Sequence, residues 1–222
     1  MTAPITAMQP PLVKLCGLFR EADIQVANRV RPDFVGFTFA TSPRRITPLE
    51  GQKFRDVLDS SIPAVGVFQD DDLAVAEALA QAGVIQVIQL HGHESDADIR
   101  RLRDVTGLPV WKAFAIRTVA EVTAANACPA DMVVLDSGSG TGRTFNWSVL
   151  AHVTRPYFLA GGLTSENVGQ AVADLHPYGV DVSSGIETGH VKDPHKMQSF
   201  VENARGAAFS FEAAVTLPQE QQ

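Results

Sequence analysis

The sequence is poor in cysteine, in positive charge and in long apolar runs, and each shortage excludes a class of protein. Its two cysteines stand at positions 16 and 128, too few and too far apart for a disulfide framework or a cysteine-rich zinc site. Lys and Arg number 18 against 25 Asp and Glu, a formal net charge of −7, which argues against a broad nucleic-acid or anionic-membrane surface. No apolar run approaches the roughly 20 residues that a bilayer-spanning helix needs.

A targeting signal is also lacking from the first residues. The stretch MTAPITAMQPPLVK has no charged region followed by a long apolar core, so no secretory leader is expected. With 45% hydrophobic and 19% charged residues, the 222-residue chain has material for a large core, which excludes wholesale disorder. We therefore expect a cytoplasmic globular protein that needs neither disulfides nor metal for its stability.

Short apolar runs recur along the chain at intervals of very roughly 20–25 residues, and several are apolar at nearly every position, as is typical of parallel strands covered on both faces. The segments between them carry helix signals, such as a capping serine, acids in the first turn and arginines in the last. The predicted strands are Val13–Cys16, Phe34–Phe39, Ala64–Phe68, Gln86–Leu90, Val110–Phe114, Met132–Leu135, Tyr157–Ala160 and Val180–Val182. The predicted helices include Asp71–Leu79, Ser95–Arg103, Thr164–Ala173 and Asp193–Ala204.

Strands that alternate with helices eight times in about 200 residues predict a single-domain (β/α)8 TIM barrel, of the α/β class. A doubly wound open sheet would show the same alternation and is the alternative. We expect residues 11–205 to form the barrel, residues 1–10 to form a flexible lead and residues 206–222 to form a loosely held C-terminal tail.

Reactive groups of such a barrel lie just after its strands. Cys16 ends the first predicted strand, where its thiolate could act as a base or its thiol could be a small buried filler. Asp136 closes an apolar strand, so its carboxyl is either catalytic or a hydrogen-bonded loop anchor. Lys14 lies on the same side of its strand as Cys16 and is expected to pair with an interior acid such as Asp181.

Small residues follow the last two predicted strands. Gly161 and Gly162 come after the seventh, and Ser183, Ser184 and Gly185 come after the eighth. Such loops let backbone N–H groups approach an anion, and phosphate sites recur at these two strands of the barrel. The alternative is that the glycines only make tight turns.

Two further side chains follow strands. Arg44, after the second, could hold a carboxylate through two hydrogen bonds or could be solvated. His91, after the fourth, is either an acid/base group or a hydrogen-bonded wall of the site. The glycine-rich run Gly138–Arg143 has neither the GxGxxG spacing of a dinucleotide site nor the GK[ST] ending of a P-loop.

Short blocks of sequence stand in one order over residues 12–205. They are Lys14–Leu18, Phe34–Ala40 with Ser42–Arg44, Val65–Phe68, Gln89–Gly92, Val134–Ser137 with Gly140–Phe145, Ala160–Asn167 and Gly179–Glu187. Together these blocks resemble the phosphoribosylanthranilate isomerase family of tryptophan biosynthesis. Phe19 and Asn146 depart from the residues usual in that family, Thr and Asp, which puts specificity or loop packing in doubt rather than the reaction.

The resemblance implies a barrel without metal or organic cofactor that converts the phosphosugar N-(5-phosphoribosyl)anthranilate to 1-(2-carboxyphenylamino)-1-deoxyribulose 5-phosphate by an Amadori rearrangement. Cys16 matches the general base and Asp136 the general acid. Arg44 matches the residue that holds the anthranilate carboxylate, and the two small-residue loops match the phosphate site. We also assign His91 and Asp181 to substrate binding. No nucleic-acid or membrane partner is expected, and the protein is expected to be a monomer or homodimer.

A thiol that acts as a base must be at least partly ionised. We therefore expect the surroundings of Cys16 to lower its pKa, with Lys14 as one candidate cause.

Other phosphate-binding barrels are the nearest alternatives. Indole-glycerol-phosphate synthase would need lysines at the early strand ends, where Cys16 and Gln69 stand. Triosephosphate isomerase would pair a histidine after the fourth strand with a glutamate after the sixth, where this chain has Asp136. A non-catalytic phosphosugar-binding barrel would keep the phosphate loops but lose Cys16 or Asp136, and both are present.

Overall fold

The computed structural model describes residues 10–70, 73–136 and 147–215 of the chain. Eight parallel strands close into a barrel in sequence order, and the last pairs with the first. This closure confirms the predicted (β/α)8 barrel and overturns the doubly wound alternative, because an open sheet has two unpaired edges. The strands are β1 (Leu12–Cys16), β2 (Phe34–Thr38), β3 (Ala64–Phe68), β4 (Val87–Leu90), β5 (Val110–Ala115), β6 (Met132–Asp136), β7 (Tyr157–Ala160) and β8 (Gly179–Val182).

Helices cover the outside of the barrel. They are α1 (Glu21–Val30), α2 (Pro48–Val57), α3 (Leu73–Gln81), α4 (Asp96–Thr106), α5 (Val119–Ala127), α6 (Val168–Leu175) and α7 (Pro194–Val215), with a 3₁₀ helix over Trp147–His152 after β6. A 3₁₀ turn (Ser184–Ile186) and a short antiparallel hairpin of β9 (Glu187–Thr188) and β10 (Val191–Lys192) lie between β8 and α7. Within the described ranges, no helix has both the length and the apolar character that crossing a membrane requires.

Several helices start where local side chains satisfy their first N–H groups. Ser95 caps α4, since its hydroxyl accepts from the Asp98 N–H while the Asp98 carboxylate accepts from the Ser95 N–H. Thr47 and Glu50 form the same reciprocal pair at α2. Such caps are worth about 1 kcal/mol each, and the serine cap predicted for the fourth helix is confirmed.

The elements differ from the predicted bounds at identifiable places. β3 and β7 have the predicted limits, and the other strands differ by one residue at one end. α6 begins at Val168 rather than Thr164, because the Asn167 carboxamide accepts from the Thr164 N–H and donates to the Gly162 carbonyl, which holds a turn. α7 continues to Val215, past residue 205, and Ala207 packs against the core. Residues 71 and 72, where a helix start was predicted, lie outside the described residues.

The barrel interior is filled at its N-terminal end by aromatic rings. Phe158 is fully buried, and its ring centroid lies 4.8 Å from that of Trp111 and 6.0 Å from that of Phe34. Side chains on the other face of the strands, such as Val13 and Leu15, belong to a separate apolar layer between barrel and helices. The aromatic plug closes one end, so polar inward-facing residues can occupy the other.

Phe158→Ala is expected to lower the free energy of unfolding by about 3–5 kcal/mol, because it leaves a cavity that the surrounding rings cannot fill. The measurement is urea denaturation followed by circular dichroism. Val119→Ala removes an exposed side chain from α5 and is the control, with an expected change within about 0.5 kcal/mol. Equal effects of the two substitutions would contradict the assignment of the plug.

Candidate active site

A cavity of about 380 Å³ opens where the strands end, at the C-terminal face of the barrel. Most side chains that the sequence assigned to a site meet in its wall: Cys16, Arg44, His91, Asp136, Gly161, Asp181, Ser183 and Ser184. Gly162 and Gly185 are chain neighbours of wall residues. Ser137 and the predicted block Gly140–Phe145 lie outside the described residues, as does Asn146.

Cys16 ends β1, and its half-buried side chain points into the barrel. A Cβ added to Gly36 of the neighbouring strand would lie 2.6 Å from the Cys16 Sγ, so a glycine there makes room for the thiol. Two residues earlier on β1, the Lys14 Nζ lies 2.9 Å from the Asp181 Oδ2, with both side chains buried. The predicted pairing of Lys14 with an interior acid is confirmed.

The predicted lowering of the Cys16 pKa is wrong. Burial raises the pKa of the Cys16 thiol, because the thiolate loses its hydration. The charge and hydrogen bond of Lys14 lower that pKa, while the negative charge of Asp181 raises it. Lys14 therefore favours the thiolate, as the sequence suggested, but burial is the largest single cause and the pKa of Cys16 is raised.

Asp136 ends β6 and is half-buried. Its backbone carbonyl accepts from the Ile116 N–H at 2.9 Å, and its register partner on β7 is Ala160. Ala160, Asp136 and Cys16 all line the cavity. The two groups come from β1 and β6, which are not neighbours in the barrel.

The guanidinium of Arg44 is held by Glu187, the first residue of β9. The Arg44 Nε and Nη2 donate to the two carboxylate oxygens at 2.5 and 2.7 Å. Lys192 of β10 donates to the same carboxylate at 2.8 Å and to the backbone carbonyl of Ser183 at 2.9 Å. Burial raises the pKa of Glu187, but hydrogen bonds from Arg44 and Lys192 outweigh it and lower that pKa to about 2. Burial lowers the pKa of Lys192, and the Glu187 carboxylate opposes this.

The loops after β7 and β8 are packed tightly against each other. Gly161 and Gly162 have positive φ angles of 85° and 64°, a conformation that glycine adopts without strain. A Cβ on Gly185 would lie 1.8 Å from the backbone oxygen of Leu163, so no other residue fits there. The glycines are thus required by the backbone path, and the same path presents small residues to the cavity.

His91 is exposed at the end of β4, and its backbone N–H donates to the Phe68 carbonyl at 2.8 Å. Behind it, the buried Lys112 Nζ donates to the Gly92 carbonyl at 2.8 Å and to the Glu94 carboxylate at 2.6 Å. This ion pair fixes the loop that carries His91. Phe19, one of the departures from the family pattern, packs against the core with the Arg20 guanidinium 5.7 Å from its ring centroid.

Three residues at or beside the cavity were not predicted from the sequence: Glu187, Lys192 and Gln89. Glu187 and Lys192 follow the eighth strand in a hairpin that the apolar pattern does not predict. Gln89 lines the cavity from β4, is 2% exposed, and its Oε1 has no hydrogen-bond partner within the described part of the chain. The one available signal was a glutamine inside the otherwise apolar run Val-Ile-Gln-Leu.

The described residues do not form a metal site. Among the acidic, histidine and cysteine side chains of residues 10–70, 73–136 and 147–215, no group of three or more could hold a metal ion.

A closed (β/α)8 barrel whose mouth holds a thiol, a carboxyl and an arginine beside two glycine-containing loops has the make-up of a barrel enzyme's active site. The family model for N-(5'phosphoribosyl)anthranilate (PRA) isomerase matches residues 13–203. The chain belongs to this family. The interpretations as indole-glycerol-phosphate synthase and as triosephosphate isomerase are therefore wrong.

Relatives of known family align with this chain over almost their whole length. The N-(5'-phosphoribosyl)anthranilate isomerase of Thermoanaerobacter sp. (strain X514) is 40% identical over 201 residues, which cover 87% of this chain and 98% of the relative. The crystal structure of TrpF from Jonesia denitrificans is 36% identical with a TM-score of 0.78 and covers 89% of this chain and 98% of its own.

A third relative was crystallised with a bound molecule. It is a phosphoribosyl anthranilate isomerase in complex with reduced 1-(o-carboxyphenylamino)-1-deoxyribulose 5-phosphate. It is 29% identical, has a TM-score of 0.78, and covers 88% of this chain and 99% of its own.

Lys14→Met is expected to raise the pKa of Cys16 further, because it removes the cation that favours the thiolate. At a fixed pH below that pKa, alkylation of Cys16 by iodoacetamide should slow by about tenfold for each unit of pKa. The rates are measured in a Cys128→Ser background, so that Cys16 is the single reactive thiol.

Lys53→Met, on the exposed side of α2, is the control and should leave the alkylation rate unchanged. If Lys14→Met does not fold because Asp181 is left unpaired, Lys14→Met with Asp181→Asn replaces it. The rise should then be smaller but of the same sign, because Lys14 affects the Cys16 pKa more than Asp181 does. A rate that stays the same or increases would refute the role of Lys14.

Proposed function

We propose that the chain converts N-(5-phosphoribosyl)anthranilate to 1-(2-carboxyphenylamino)-1-deoxyribulose 5-phosphate, with Cys16 as general base and Asp136 as general acid. Membership of the isomerase family supports the reaction. The observation that carries the residue assignment is that Cys16 and Asp136 line one cavity from non-adjacent strands of the barrel.

The reaction starts with two proton transfers at different atoms of one sugar. Asp136 protonates the furanose ring oxygen while the bond from that oxygen to C1 breaks and the nitrogen lone pair forms a C1=N double bond. Cys16, in the thiolate form that Lys14 favours, then takes the proton from C2, and the C–H electrons form a C1=C2 double bond that neutralises the nitrogen. The resulting enol becomes the ketone when C1 takes a proton from the Cys16 thiol and the C2 hydroxyl gives its proton to the Asp136 carboxylate, which restores both groups. An acid and a base fixed on different strands suit this sequence.

The ends of the substrate are two anions, and we assign one anchor to each. Arg44 holds the anthranilate carboxylate, since a guanidinium has five N–H donors and Glu187 occupies two of them. The loops Gly161–Gly162 and Ser183–Gly185 hold the phosphate through backbone N–H groups. Fixing both ends limits the sugar to geometries close to the reacting one.

Two further residues are assigned to the substrate site. His91 and Asp181 contribute to the wall that contacts the substrate. The chemistry of the acid, the base and the two anchors accounts for the reaction with the phosphosugar as its only small-molecule partner. The expected cytoplasmic location and the expected monomer or homodimer stay predictions.

Cys16→Ala and Asp136→Asn are each expected to lower kcat by about 10²–10⁴-fold with little change in KM, because each removes a proton carrier and leaves both anchors. Turnover is followed by the decay of substrate fluorescence in the presence of a chelator. Cys128→Ala removes the other thiol of the chain and should keep full activity.

Near-normal kcat in either variant would remove that residue from the proposed mechanism. Folded wild-type protein that binds the phosphosugar without consuming it would instead favour a non-catalytic binding barrel.

Arg44→Lys is expected to raise KM by on the order of tenfold or more while kcat changes less, because lysine keeps the charge but cannot form paired hydrogen bonds with a carboxylate. Arg45→Lys, at the adjacent exposed position, is the matched control and should leave both constants unchanged. An unchanged KM in the Arg44 variant, measured by the same fluorescence decay, would show that another group holds the carboxylate.

A further inference from the structure

We propose that Glu187 is a positioning residue of this site. Its carboxylate fixes the orientation of Arg44 and, through Lys192, joins that arginine to the loop at Ser183. The proposal rests on the proposed function and extends it, because it says how the carboxylate anchor and the phosphate anchor are held at a set separation.

The first support is the geometry of the contact between Glu187 and Arg44. The two side chains come from the hairpin after β8 and from the loop after β2, and they form two parallel hydrogen bonds. The Glu187 side chain is 5% exposed, and that of Arg44 is 23% exposed. A charge-assisted double hydrogen bond of this kind fixes the plane of the guanidinium as well as its position.

The second support is that Glu187 contacts one edge of the Arg44 guanidinium. Glu187 binds the edge formed by Nε and Nη2. Among the described residues, none is seen to accept from the second edge, formed by Nη1 and the other N–H of Nη2, and that edge has the geometry to bind another carboxylate. The absence of a side chain at Gly17 leaves room for the aliphatic part of Arg44, since a Cβ at position 17 would lie 2.7 Å from the Arg44 Cδ. Gly17 has a φ of 68° and directly follows Cys16.

The third support is the continuation of the network to the phosphate loop. Lys192 is fully buried and donates both to Glu187 and to the Ser183 carbonyl. Its own carbonyl accepts from the Arg20 Nη2 at 2.9 Å, which ties the hairpin to the start of α1. Ser183 also lies against Gly17, with its Oγ 3.0 Å from the position of an added Cβ. Both anchors are thus positioned against the residue next to Cys16.

A specific consequence follows for ligand recognition. If Glu187 orients Arg44, removing the Glu187 charge weakens the recognition of a ligand carboxylate more than it weakens the recognition of a phosphosugar without one. A residue that merely stabilises the fold would weaken both to the same extent.

The experiment compares two ligands by calorimetry. One is reduced 1-(o-carboxyphenylamino)-1-deoxyribulose 5-phosphate, and the other is the same molecule with a phenyl ring in place of the carboxyphenyl ring. Wild-type protein should prefer the first by about tenfold or more. Glu187→Gln should reduce this preference to nearly one, and adding Arg44→Lys to it should cause little further loss, because the two residues act as a unit.

Two variants accompany this measurement. Glu187→Asp keeps the charge on a shorter side chain and should restore part of the preference. Asp33→Asn is the matched control, since Asp33 also pairs with an arginine, Arg205, but before β2 at the opposite face of the barrel, and it should keep the wild-type preference.

An unchanged preference in Glu187→Gln, or an equal loss of affinity for both ligands, would overturn the proposal. If Glu187→Gln does not fold, Glu187→Asp carries the test, with an intermediate preference expected and a wild-type preference contradicting it. Because binding is measured directly, the result does not depend on turnover. Wild-type protein that binds the carboxylated ligand but does not isomerise the substrate would refute the proposed function without affecting the conclusion on Glu187.

Discussion

The seam between β1 and β8 is the contact on which the site depends. Pairing of Leu12–Leu15 with Gly179–Val182 closes the barrel and joins residues that are far apart in the chain. At this seam Lys14 and Asp181 form a buried ion pair. Loss of one partner would leave an uncompensated buried charge, which costs about 3–5 kcal/mol. The same closure brings the loop after β8 beside Cys16, so the proposed general base and the proposed phosphate loop come from opposite ends of the chain.

The charge at the mouth of the barrel differs from the charge of the chain as a whole. The chain has a net charge of −7, yet the network around Cys16 contains the cations Lys14, Arg44 and Lys192 against the carboxylates Asp181 and Glu187. Asp136 adds a third acidic side chain to the cavity wall, so these acidic and basic groups are equal in number although the whole chain is negative. A negative net charge is therefore compatible with a pocket for a small anion.

The sequence predicted the structure best where one local pattern had one physical cause. Runs such as Ala64–Phe68 and Tyr157–Ala160 are apolar throughout because both faces of a parallel strand are buried, and their predicted limits match the structure. It failed where a side chain competed with the backbone pattern, as at Asn167, which delays the start of α6. The extension of α7 to Val215 likewise depends on packing partners such as α6.

The sequence by itself determined the order of strands and helices and the positions just after each strand, because these follow from periodicity and chain order. The family blocks came from resemblance, and the choice between a barrel and a doubly wound sheet was left to the closure of β1 on β8. Only the tertiary structure decided the environment of each group. Burial is the largest cause of the raised Cys16 pKa, and Arg44 is paired with Glu187, a residue that lies 143 positions away in the chain. Burial and long-range pairing are sums over neighbours from many segments, so no local pattern of residues contains them.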